Sequence, residues 1–146
     1  MRLPFHCILL IEDYSRDSRT ATQVAGSAGI TDVYVCHTLR QAVRYFEAFL
    51  RGDSPCPFAI VVDLDLGFES GYEVLRLRYS TSLLRNIPTI VWTSLDESGR
   101  NVCELFDVNA IVFKWEGAAK LREALEEIVN EGQLKIRIAE QSSPDP

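Results

Sequence analysis

Two histidines and four scattered cysteines leave the sequence short of the ligands that soft metals prefer. Cys7, Cys36, Cys56 and Cys103 form no C-x-x-C pair, and only His6 and His37 are present to complement them, so no thiolate zinc site is expected. Three of the four lie in apolar stretches and read as small buried hydrophobes kept reduced, while Cys56, in a Pro-flanked loop, is the one expected to be exposed. Basic residues are also in deficit: 15 Lys+Arg against 21 Asp+Glu give a net charge of -6, which argues against the phosphate-backbone electrostatics of nucleic-acid binding. No apolar run approaches the ~20 residues of a membrane span, and the N-terminus, Met1–His6, lacks a signal peptide's apolar stretch and cleavage site. A cytosolic chain without direct nucleic-acid or membrane contact is expected. Internal repeats and low-complexity tracts are missing too, apart from the frayed-looking Gln141–Pro146. What remains, 146 residues with 47% hydrophobic and 25% charged, suffices for one compact domain and leaves no room for a second.

Five short apolar runs punctuate the chain: Cys7–Ile11, Val33–Cys36, Phe58–Val62, Thr89–Trp92 and Ala110–Phe113. They are rich in Val and Ile and mostly unbroken by polar residues, the pattern of strands buried on both faces of a parallel sheet. Between them runs helical periodicity. It is clearest in Leu39, Ala42, Val43, Phe46, Phe49 and Leu50, with Thr38 as N-cap and Gly52 as stop, and in Leu121, Ala124, Leu125, Ile128 and Val129, ended by Gly132. Weaker signals cover Ser15–Ala28, Tyr72–Leu84 and Glu97–Phe106. Strict strand–helix alternation with short connections predicts an α/β fold, a (βα)5 doubly wound parallel sheet with helices on both faces. That domain is expected to span 1–132. The tail, 133–146, contains the alternating stretch Leu134–Ile138, which reads either as plain tail or as an added edge strand, on this sheet or on a partner's.

In open α/β sheets, ligands sit beyond the carboxyl ends of the strands. The residues there are Glu12 and Asp13 after the first strand, Asp63 after the third, Thr93 and Ser94 after the fourth, and Lys114 after the fifth. Three carboxylates on one rim, with Asp65 close behind, repel one another unless a cation sits among them, and hard oxygen ligands on short loops suit Mg2+. A lysine beside magnesium is suited to holding a phosphoryl group, and Thr93 offers it a hydroxyl. Taken singly, each residue has an ordinary structural role as a turn, a cap or a surface charge. Their joint placement on four strand ends reads instead as an aspartate that accepts phosphate, with neighbours spreading the developing charge.

These residues resemble a known family, the receiver domains of bacterial two-component response regulators (the CheY-like superfamily). The resemblance is carried by Ile8-Leu-Leu-Ile-Glu-Asp13, Val61-Val-Asp-Leu-Asp-Leu66 with Gly71 five residues on, Pro88-Thr-Ile-Val-Trp-Thr-Ser94, and Val112-Phe-Lys114, and it covers about Phe5 to Val129. It implies a flavodoxin-like sheet of order 2-1-3-4-5. It also implies Asp63 as phospho-acceptor, with Mg2+ held by Glu12, Asp13, Asp63 and the Asp65 backbone carbonyl, and with Thr93 and Lys114 on the phosphoryl oxygens. Ser94 matches the small residue that follows the threonine in the family. The implied partners are a histidine kinase or phosphotransfer protein upstream and an unidentified protein downstream. The downstream protein is reached through the fourth helix, fifth strand and fifth helix of the domain, itself a monomer or weak homodimer.

The sequence also departs from the family pattern. Trp115 stands where receivers usually place a proline after the lysine, Gly67 where the loop after the acceptor commonly carries one, and Ile111 at the usual aromatic switch position. Asp65 and Leu95 occupy positions that tune dephosphorylation in relatives. Two other readings stay open. One is a pseudo-receiver that signals by binding without phosphate. The other is a haloacid-dehalogenase-type phosphatase, in which Asp63 attacks and Asp65 acts as general acid, although Glu12-Asp13 then has no role.

Overall fold

The computed structural model describes residues 7–142, so Phe5, His6 and the end of the tail, 143–146, lie outside the described residues. Within it the chain forms β1 (Cys7–Ile11), β2 (Asp32–Cys36), β3 (Ala59–Val62), β4 (Asp65–Leu66), β5 (Glu69–Ser70), β6 (Thr89–Thr93) and β7 (Ala110–Phe113). Five of these make one all-parallel sheet in the order β2-β1-β3-β6-β7. Counted among the five long strands this is the order 2-1-3-4-5, the flavodoxin-like arrangement. β4 and β5 form a separate antiparallel hairpin just beyond Asp63, turning at Gly67 and Phe68.

The central apolar runs are strands covered on both faces, while the edge strand β2 leaves Tyr34 exposed. Ile8 and Leu10 pack with Ala21, Ala25, Leu121 and Leu125 on the side of α1 (Ser15–Ser27), while Leu9 and Ile11 pack with Phe46, Val74 and Leu75 on the side of α2 (Leu39–Leu50) and α3 (Tyr72–Ser80). β3 and β6 are buried at every position. α2 is bounded as its sequence indicates: the Thr38 side chain accepts from Gln41 N–H at 3.1 Å, and Gly52 follows with φ +83°, a conformation that costs glycine nothing.

Three segments differ from the sequence pattern. The helix expected over Tyr72–Leu84 is two, α3 and α4 (Ser82–Arg85), split at Thr81, which is extended at φ −113°, ψ 114°. The Ser80-Thr81-Ser82 run explains the break, since short hydroxyl side chains compete for the backbone; the Ser80 hydroxyl donates to the Leu77 carbonyl at 3.2 Å. The segment Glu97–Phe106 starts as one 3-10 turn, Glu97–Gly99, before α5 (Arg100–Leu105). The largest difference is at the C-terminus. The last helix does not stop at Gly132, and Leu134–Ile138 adds no strand, because α6 runs unbroken from Ala118 to Ser142. A glycine costs a helix ~1 kcal/mol relative to alanine, and the flanking Glu131, Gln133, Leu134, Lys135, Arg137, Ala139 and Glu140 are strong helix formers that offset it.

Arg78 is buried, at 2% exposure, and among the described residues no carboxylate is bonded to it. Its guanidinium donates to three carbonyls: Nε to Ile87 at 3.0 Å, Nη1 to Phe106 at 2.9 Å and Nη2 to Asp107 at 3.2 Å. One side chain thus joins α3, the entry to β6 and the end of α5, where Asp107 takes the left-handed φ of 58°. The cysteines are free thiols, Cys36 and Cys103 buried, Cys7 half-buried and Cys56 exposed as expected. Burial pushes the Cys36 thiol up to about 11, which keeps it protonated and unreactive.

Candidate functional site

The carboxyl ends of β1, β3 and β7 bring Glu12, Asp63 and Lys114 into direct contact. Backbone bonds that prolong the sheet hold the first two: Glu12 N–H donates to the Cys36 carbonyl at 2.9 Å and Asp63 N–H to the Ile11 carbonyl at 3.0 Å. Both side chains are buried, Glu12 at 0% and Asp63 at 4% exposure. Behind Asp63 the chain returns so closely that a side chain at Gly71 would place its Cβ 2.0 Å from the Asp63 carbonyl oxygen. That approach seats the start of α3 directly on the backbone of the aspartate. Further bonds fix the first strand end: Tyr14 N–H donates to Glu12 Oε2 at 3.2 Å, and His37 Nδ1 to the Glu12 carbonyl at 3.1 Å.

Lys114 opens a 3-10 turn, Lys114–Glu116, after β7, and its ammonium turns inward. It donates to Glu12 Oε1 at 2.6 Å, Asp17 Oδ2 at 2.6 Å and Asp63 Oδ2 at 2.8 Å. It also lies 4.9 Å from the ring centre of Trp92, within cation–π range. Burial alone would lower the lysine pKa, but the three carboxylate bonds outweigh it and hold the ammonium above its usual range. The Glu12 carboxyl is pushed up to about 8, first by burial, with the neighbouring Asp63 charge adding to it and the bonds from Lys114 and the Tyr14 N–H pulling against it. Glu12, Asp13, Asp17 and Asp63 set four acidic side chains at the rim against Lys114, so the hollow is short of positive charge even with the lysine in place.

That deficit bears on metal binding. Glu12, Asp13 and Asp63 each offer an oxygen, and these oxygens all lie within 4.8 Å of one another, two on buried residues and one on an exposed residue. Hard anionic donors so grouped, at the mouth of a hollow, fit a divalent cation of the magnesium type. The Asp65 carboxylate stays outside this trio. Its Oδ1 accepts from Gly67 N–H at 3.2 Å, while Asp65 N–H donates to Asp63 Oδ1 at 3.1 Å. Thr93 is buried at the end of β6, and its hydroxyl oxygen accepts from Leu95 N–H at 3.2 Å. Trp115 is exposed and stacks on Phe113, ring centres 4.4 Å apart and 12° from parallel.

Asp17 is the site residue that the sequence reading did not single out. It lies in the first turn of α1, two residues into the helix that follows the Glu12-Asp13 strand end. An acid in a first turn has an ordinary role beside the helix dipole, and its contact with a lysine 97 residues away becomes visible only in the fold.

No family model and no curated protein matches the sequence. Solved structures do. The bacteriophytochrome response regulator RtBRR superposes with a TM-score of 0.72 at 29% identity, over 85% of this chain and 78% of that one. The Mn2+-bound form of response regulator Rcp1 does so with a TM-score of 0.70 at 25% identity, over 84% and 91%. The phosphorylated cyanobacterial phytochrome response regulator RcpA gives 0.71 at 24% identity, over 85% and 91%. The fold is that of a response-regulator receiver domain. Further neighbours are receivers as well, among them a CheY-like receiver domain protein from Methanospirillum hungatei and a signal receiver domain from Clostridium thermocellum. Among the described residues of this receiver fold, no helix is long and apolar enough to cross a membrane.

Proposed function

We propose that this chain is a response-regulator receiver that accepts a phosphoryl group on Asp63 from a histidine kinase or phosphotransfer protein, with Mg2+ as cofactor. The observation that carries the proposal is the convergence of Glu12, Asp13, Asp63 and Lys114 at one sheet rim, with three anionic oxygens within 4.8 Å and the ammonium 2.8 Å from Asp63. An Asp63 oxygen attacks the phosphorus of a phosphohistidine. The new O–P bond forms as the P–N bond breaks, and the electron pair leaves with the imidazole nitrogen, which takes up a proton. Lys114 donates to the transferred oxygens as their charge builds, and the Thr93 hydroxyl is placed at the neighbouring strand end to turn its proton toward them. Glu12, Asp13, Asp63 and the Asp65 carbonyl would hold Mg2+, which when bound neutralises charge on the phosphoryl oxygens. The residues supply position and charge compensation at the reacting carboxylate.

The downstream signal passes to an unidentified protein through the face built from α5, β7 and α6, the counterpart of the surface used by relatives. The phosphatase-like alternative is poorly served, because it leaves Glu12 and Asp13 without a role although their oxygens converge with that of Asp63. Incubation with acetyl phosphate and Mg2+ tests the proposal, read by intact mass. One phosphoryl per chain is expected, none without Mg2+ and none in Asp63→Asn. A wild-type protein that remains unmodified contradicts the proposal and leaves the pseudo-receiver reading; steady turnover of varied phosphate esters supports the phosphatase.

A further inference from the structure

An ammonium carries three N–H donors. Those of Lys114 are all spent on carboxylates, those of Glu12, Asp17 and Asp63. Glu12 and Asp63 belong with Asp13 to the trio whose oxygens converge, and Asp17 does not. A divalent cation among the trio therefore competes with the lysine for two of its three partners and repels it as well. An ammonium with no other seat would swing out toward solvent just when its donors are needed at the phosphoryl group. Asp17, reaching in from α1, and the face of Trp92 at 4.9 Å provide a seat that the metal leaves untouched. The backbone gives the lysine little further restraint: it opens a single short turn that ends at Gly117 with φ +95°.

We propose that Asp17 is the positioning residue for Lys114, retaining the ammonium beside Asp63 when the metal draws Glu12 and Asp63 away, so that the freed N–H groups meet the phosphoryl oxygens. The inference rests on the phospho-acceptor reading. Asp17 is not a member of the metal trio and acts through the lysine.

A double-mutant cycle separates this from a general charge or folding effect. The variants are Asp17→Asn, Lys114→Met and the pair together, with Asp17→Ser as a second removal and Asp17→Glu as the conservative rescue. The probes are Mg2+ with beryllium trifluoride, whose affinity is read from tryptophan fluorescence, and the initial rate of phosphorylation by acetyl phosphate. Thermal melts accompany both. In the wild-type background Asp17→Asn is expected to weaken beryllium trifluoride binding and slow phosphorylation about tenfold or more, and Asp17→Glu to recover most of the loss. In the Lys114→Met background the same change is expected to alter either reading less than twofold. Equal effects in the two backgrounds, or no effect in the wild-type background while wild type is phosphorylated, overturn the positioning role alone. A wild-type protein that takes up neither beryllium trifluoride nor phosphate overturns the phospho-acceptor reading, and the role of Asp17 with it.

Discussion

Raising the pH should weaken the metal-free protein, and Glu12 is the reason. Its carboxyl is pushed up to about 8 in the folded chain against an ordinary value of 4.5, with burial as the chief cause. Between those two pH values the folded state binds more protons than the unfolded state, so stability falls as pH rises through the window and levels off above it. At about 1.36 kcal/mol per pKa unit, a shift of that size corresponds to a loss of a few kcal/mol, on the order of 5 at most. Lys114 does not mask this slope, because a raised lysine pKa adds stability that is complete below the ordinary lysine value of 10.5 and is lost only above it. Urea unfolding at pH 5, 6.5, 8 and 9 in the presence of a chelator measures the slope directly. Wild type should lose stability steadily up to pH 8, Glu12→Gln should be nearly flat, and saturating Mg2+ should suppress the loss by favouring the ionised carboxylate. A wild-type stability that is level or rises from pH 5 to 8, or an identical slope in Glu12→Gln, would refute the argument.

Other perturbations test the scaffold around the site. Gly71→Ala forces a Cβ to 2.0 Å from the Asp63 carbonyl oxygen and 2.8 Å from Leu64 Cα, both backbone atoms that cannot turn aside; it should destabilise by ~3 kcal/mol, the upper end for overpacking, in urea melts. Arg78→Met removes a donor from three carbonyls at once, of which that of Ile87 keeps the Thr89 hydroxyl, and should cost about 2 kcal/mol by the same measurement, within the ~1–3 kcal/mol of a buried polar group losing its partner. Mg2+ at a hundred times its dissociation constant should stabilise the folded chain by ~2.7 kcal/mol, seen as a rise in Tm of several degrees, and Asp13→Asn should reduce that rise sharply.

The rim residues were legible because a parallel sheet sends all its strand ends to one edge, so Glu12, Asp63, Thr93 and Lys114 could be placed from the ends of apolar runs alone. Burial on both faces made those runs conspicuous. Helix boundaries were less visible. Gly132 looks like a stop, yet its cost of ~1 kcal/mol is smaller than the summed preference of the residues around it, and the alternation of Leu134–Ile138 mimics a strand within a segment that continues as helix. The break at Thr81 depends on hydroxyl competition that periodicity does not register. Asp17 was hidden for a different reason: its significance lies in a partner 97 residues away, and local pattern carries no information about which acid a distant lysine meets.

The three-way grip of Arg78 constrains how α5 can respond to events at the rim. Its last turn is tethered, through the Phe106 and Asp107 carbonyls, to a guanidinium fixed in the floor of the domain. The segment that leads into the helix, Ser94–Gly99, instead leaves β6 after Thr93 and is formed of exposed or half-exposed residues. Displacement of that leading segment is accordingly expected to exceed displacement at the anchored end beside Phe106. A spin label or fluorophore on that segment will report on the rim, and the same probe beside Phe106 will respond less.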